Sequence, residues 1–142
     1  MKNFMDQKAW QKCHELVVAI YRLSASFPEN DRGVMSEELR NTALLLQINI
    51  EDALMNRRRP VRGIPRSLDV ANGKLARLES GLVSCKGIRY INSKTFKSLC
   101  AMAEDVQKDI HGMMGKRAVR SLHRWQERIL EMEKASLSSS PA

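Results

Sequence analysis

Aromatic residues are scarce in this 142-residue chain, with two Trp, two Tyr and three Phe. That excludes the aromatic stacking platform on which many single-strand binders depend. There are only three cysteines, Cys13, Cys85 and Cys100, widely spaced and without a CxxC pair. An odd, dispersed set argues against a disulfide framework or a zinc ribbon, and for reduced thiols in a cytoplasmic protein. His14, His111 and His123 have no metal-ligand spacing with one another or with the cysteines, so no metal is expected, and no cofactor. No apolar run approaches the roughly 18 residues of a membrane span. The opening MKNFMDQKAW has no apolar core of its own, so a secretory signal is not expected either. Glycine-rich phosphate loops are missing. So are segments that alternate apolar and polar residues long enough to be strands.

What the chain has in quantity is positive charge, with 24 Lys and Arg against 16 Asp and Glu, a net +8. The charge is uneven. Residues 1–56 hold six basic and eight acidic residues, a net −2, and residues 57–142 hold eighteen and eight, a net +10. The sign changes at NRRRPVRGIPR, residues 56–66, where five arginines fall within eleven positions. Such asymmetry points to a surface that meets polyanions.

Helical periodicity organises the rest. Trp10, Cys13, Val17, Ile20, Ser24 and Phe27 step by three and four and predict a helix over 6–27, closed by Pro28. A second helix is expected over 34–56, its start read at Ser36 with acids in the first turn. Its middle, ALLLQINI at 43–50, is apolar nearly all round, so the helix is either central or buried on a second side by another subunit. Pro60, Gly63 and Pro65 make 57–63 a loop. Ile64, Leu68, Ala71, Leu75, Leu78, Leu82 and Cys85 then mark a third helix over 64–86. Gly73 and Gly81 lie inside it, where close approach by a neighbour would explain them. Asn92 and Ser93 open a fourth helix with Phe96, Leu99, Ala103, Val106, Ile110 and Met113 on its stripe. After Gly112–Gly115 a new stripe appears, Ala118, Leu122, Trp125, Ile129 and Met132. It marks a continuation or a separate helix over 117–134, with a disordered tail over 135–142. These elements predict an all-α, up-down-up-down four-helix bundle over 1–116 with a C-terminal basic amphipathic helical extension.

Three blocks then resemble a known family. AWQKCHELVVAIYRLSASFP (9–28), LRNTALLLQINIEDA (39–53) and ANGKLARLESGLVSCKGIRYI (71–91) are similar, in order, to the first three helices of the bacterial proteins encoded by intervening sequences of large-subunit ribosomal RNA genes. The accessory variability determinants of diversity-generating retroelements look like relatives. The likeness spans about residues 4–115. It implies a four-helix bundle assembled as a ring-forming homo-oligomer, commonly a homopentamer, with no known catalytic residues. The retroelement members are implied to bind a reverse transcriptase and its RNA through basic surfaces. The chain departs from the pattern at Gln47, where proline is common, and at Glu51-Asp52-Ala53, which lacks the family's glycine. Lys74, Arg77, the 57–66 arginines and the extension all add positive charge.

The candidate phosphate contacts are therefore Arg57, Arg58, Arg59, Arg62 and Arg66, joined by Lys74 and Arg77 on helix three. Lys116, Arg117, Arg120, Arg124 and Arg128 form a second set, four of them a stripe at 3,4,4 spacing. The bland reading is a solvated turn followed by a helix whose apolar side packs on the bundle or on another subunit while its arginines stay in water. The functional reading is a nucleic-acid-binding accessory protein, RNA-directed, DNA being the comparison, and a partner of a reverse transcriptase. A scaffold that docks an acidic protein partner is the alternative. Membrane-surface binding is the weakest reading, because Glu127, Glu131 and Glu133 share the helix. Cys100, Glu104 and His111 lie on roughly one helix face, but the thiol and imidazole are too far apart along it for direct activation, so no enzyme is expected.

Overall fold

The computed structural model describes residues 4–55 and 66–138. Five α-helices occur there and no strand. They are α1 (Lys8–Ser24), α2 (Val34–Met55), α3 (Arg66–Gly87), α4 (Ser93–Met114) and α5 (Lys116–Ser138). Helices α1 to α4 pack in a cycle, α1 on α2, α2 on α3, α3 on α4 and α4 back on α1, around one shared core. Cys13, Val17 and Ile20 of α1, Leu68 to Cys85 along the α3 stripe, and Leu99, Ala103, Val106 and Ile110 of α4 are all buried. The three-and-four spacing read from the sequence is thus the core-facing side of three helices. Trp10, Phe27 and Phe96 sit at the core's edge, half-buried. The one polar position of the α1 stripe, Ser24, is satisfied there, donating to the Tyr21 carbonyl (3.1 Å) and accepting from Arg40 Nε (2.7 Å).

The helix boundaries hold to within a few residues, with three informative differences. First, α2 starts at Val34, in line with its expected range, but Ser36 does not make its start. Asp31 Oδ2 accepts from the Met35 backbone N–H (3.0 Å), and Gly33 turns the chain at φ +79°. The cap therefore lies in the preceding turn, ahead of the serine. Second, Gly115 (φ +87°) breaks the chain between α4 and α5, so the extension is a separate helix. Third, α5 runs to Ser138, past the end expected at 134. Lys-Ala-Ser-Leu-Ser (134–138) contains neither glycine nor proline, and nothing in it forces a stop. At α4 the expectation holds in detail, since Asn92 Oδ1 accepts from the Thr95 N–H (2.8 Å).

Helix α2 packs most extensively on α3. A Cβ placed on Gly81 would stand 2.7 Å from Leu39 Cδ2, a buried side-chain atom, so this glycine admits close contact between the two helices. Among the described residues nothing lies within 4 Å of a Cβ placed on Gly73, and they do not make the close approach expected there. The two glycines should therefore respond oppositely to alanine. Gly73→Ala should raise stability by about 0.5–1 kcal/mol through helix propensity. Gly81→Ala should lower it, because overpacking costs about 1–3 kcal/mol against that same gain. Urea-unfolding midpoints of the two variants check the contrast.

Candidate nucleic-acid interface

Because α1 to α4 alternate in direction, the turns 25–33 and 88–92 share one end of the bundle. Tyr90 ties them, its hydroxyl donating to Asp31 Oδ1 (3.1 Å) and its ring lying 5.0 Å from that of Phe27. At the opposite end lie the start of α1, the end of α2, the start of α3 and the junction of α4 with α5. The topology thus brings Arg66, the first residue of α3, to the end from which α5 departs. Arg66 is exposed. Arg57, Arg58, Arg59 and Arg62 lie outside the described residues. Lys116, Arg117 and Arg120 belong to the first turns of α5, and their side chains lie outside the described set. Arg124 and Arg128 are exposed further along that helix.

The α3 pair fares differently. Lys74 is half-buried, and Arg77 is exposed but engaged. Arg77 Nε donates to Glu38 Oε1 on α2 at 2.6 Å. A contact between two such exposed groups is worth about 0–1 kcal/mol, so a phosphate can compete with it, but Arg77 is not a free cation at rest. Arg66 and Arg77 are eleven residues apart, about 16 Å along the helix, on nearly the same face. Arg66 is therefore the α3 member that belongs with the α5 end of the bundle.

A second basic group lies at the other end. Arg32, Lys86, Arg89, Lys94 and Lys97 stand around the two linked turns against Glu29 and Asp31, a net +3 over 25–33 and 86–97. Arg32 (φ +53°) and Arg89 (φ +65°) occupy left-handed backbone positions, and Lys86 Nζ lies 4.7 Å from the centre of the Phe96 ring. In the sequence Lys86, Arg89, Lys94 and Lys97 are near neighbours and Arg32 is far from them. The alternating helix directions bring Arg32 to the same end.

The groups weighed for catalysis do not assemble. Burial raises the pKa of Cys100, Glu79 and Glu104 add to the rise, and Lys86 opposes it. The result is a protonated thiol, the reverse of an activated nucleophile. His111 is held lower than usual by burial and then by His123, whose ring is 6.1 Å away. Glu51, one of the adjacent carboxylates, accepts the Trp10 indole N–H (2.9 Å) and so fastens α2 to α1. Among the described residues no group of three potential ligands could hold a metal ion. None of the described helices is long and apolar enough to cross a membrane.

The fold and surface define a basic helical-bundle protein with an appended amphipathic helix. Residues 5–112 match the family of 23S rRNA-intervening sequence proteins, and the chain belongs to that family. No curated protein matches it.

Burial also governs the other thiols. Cys13 is pushed up to about 12 by burial and then by Glu51, and Cys85 to about 11 by burial and then by Asp31. An acid whose folded pKa is raised keeps its proton longer in the native state. Its contribution is complete below the unfolded value near 9 and is lost as pH rises through 11 to 12. Stability should therefore fall above pH 9, by at most about 1.4 kcal/mol per pH unit for each thiol. Cys13→Ala should flatten that slope in pH-dependent urea titrations. In the native protein at neutral pH, Ellman's reagent should leave Cys13 and Cys85 unlabelled.

Proposed function

We propose that this protein is a non-enzymatic, RNA-directed nucleic-acid-binding accessory protein that works as a basic homo-oligomer, a pentameric ring being the first choice of assembly. The observation that carries the reading is the concentration of charge. Residues 57–142 hold a net +10, and Arg66, Arg124 and Arg128 are exposed, the first of them at the end of the bundle from which α5 departs. Membership of a family named for rRNA intervening sequences agrees with an RNA-associated role. The scarcity of aromatics makes the binding electrostatic, with little sequence preference. Exposed Leu44, Leu45 and Ile48 on α2 support self-association, since one bundle leaves them uncovered. A reverse-transcriptase partnership has only the resemblance to the retroelement accessory proteins behind it and stands second to direct RNA binding.

The test is binding to a structured RNA and to a duplex DNA of matching length across a salt series. Wild type is compared with a variant carrying alanine at 57, 58, 59, 62 and 66, and with Arg124→Ala/Arg128→Ala. Wild-type affinity should fall steeply with salt. Each phosphate contact removed should reduce the logarithmic salt slope by about one. Absence of wild-type binding at low salt would refute direct nucleic-acid contact. It would turn the search to an acidic protein partner.

A further inference from the structure

Helix α5 leaves most of its surface uncovered. From His123 to Ser136 every described side chain is exposed, including Ile129, Leu130 (55%) and Met132 (71%). Its principal neighbour is α4, near their junction. An isolated helix of this length is marginal in water, and its stability ordinarily comes from packing an apolar side. Helix α2 has the reciprocal problem. One side is in the core through Leu39, Ala43, Leu46 and Ile50, and the other exposes Leu44, Leu45, Ile48 (54%) and Met55 (70%).

We infer that α5 of one copy lies antiparallel along the outer face of α2 of a second copy, with Ile129 against Ile48 and Met132 against Leu45. This rests on the homo-oligomer reading above and specifies the contact. Charge selects the pairing. Helix α2 carries four acidic residues and one basic, a net −3, and α5 carries six basic and three acidic, a net +3. Pairing α2 with α2, or α5 with α5, would set like charges side by side, whereas α2 with α5 joins opposites. The outer face of α3 also lies on a basic helix, and along Gly73, Ala76, Ser80 and Val83 its one large apolar side chain is Val83 (58%), fewer than α2 exposes. The stripes match in spacing. Positions 45, 48, 52 and 55 step 3,4,3, and so do 122, 125, 129 and 132. The antiparallel sense follows from the distribution of charge along α5. It brings Arg124 beside the exposed Asp52, whereas the parallel sense would bring Glu131 and Glu133 there. Each copy gives one α5 and receives one, a head-to-tail contact of the kind that closes into rings.

The test uses the full chain in a Cys100→Ser background, where Cys13 and Cys85 stay buried. Ile48→Cys and Ile129→Cys variants, one bearing a size tag, are mixed and oxidised under native conditions, and the products are read on a non-reducing gel. The sedimentation of wild type is measured in parallel. The expected result is a disulfide between position 48 of one copy and position 129 of another, in excess over either homodimer. If wild type sediments as an oligomer but only 48–48 or 129–129 products form, or none, the docking is wrong and the homo-oligomer stands. An Ile48→Cys/Ile129→Cys double variant that closes internally at monomer mass also overturns it, since α5 then folds on its own bundle. Wild type that sediments as a monomer at its highest soluble concentration removes the homo-oligomer and the docking together.

Discussion

Helix α2 is apolar on two sides, and a four-helix bundle buries only one of them. Leu39, Ala43, Leu46 and Ile50 go into the core, and Leu39 reaches the bare backbone of Gly81 on α3. With that side fixed, the helical period places Leu44, Leu45 and Ile48 outward. Rotating the helix to hide them would withdraw the first set and open the α2–α3 contact that Gly81 permits. The surplus is therefore built into the sequence of α2. In water it is a standing drive toward covering that face.

Trp10 and Glu51 show how the polar groups accommodate this arrangement. The indole N–H is satisfied by a carboxylate from the neighbouring helix, and the same carboxylate helps hold Cys13 protonated. Ser24 does similar service between α1 and Arg40 of α2. Glu51 and Ser24 are thus fastenings between α1 and α2. Arg66, Arg124 and Arg128 stay exposed.

The stripes of α1, α3 and α4 were legible in the sequence because each of those helices buries a single side, and a single buried side writes its period directly. The start of α2 was legible at 34, but its cap was not. Its cap, Asp31, acts across Gly33 in a left-handed turn, and no spacing rule announces which nearby acid will reach back to Met35. The end of α5 was missed for a different reason. Serines suggest a tail, yet α5 continues through them in the absence of a breaker. Of the candidate interface, the identity of the basic residues was legible and their grouping was not. Lys74 and Arg77 read as companions of Arg66, but Arg77 is drawn to Glu38 across the α2–α3 contact. Arg32 is far in sequence from Arg89 and Lys94, and alternating helix directions gather them at one end.

Charge and apolarity are sorted onto different structures, and that sorting bears on how the molecule can work. Helix α2 is net acidic, with four acidic residues against one basic, and the basic excess begins where α3 approaches. On α5 the two properties lie side by side, with arginines at 117, 120, 124 and 128 flanking the stripe at 118, 122, 125 and 129. On a helix these rows are separated by roughly a third of a turn. A partner helix can cover the apolar row and leave part of the basic row open. Burying α5 against another copy and meeting a polyanion are therefore compatible demands on one helix. Assembly would fix several such basic rows in a constant geometry, and each further row engaged by the same polyanion would bind at high effective concentration. A monomer of net +8 would attract RNA only diffusely, whereas an assembly multiplies that charge and holds it in place.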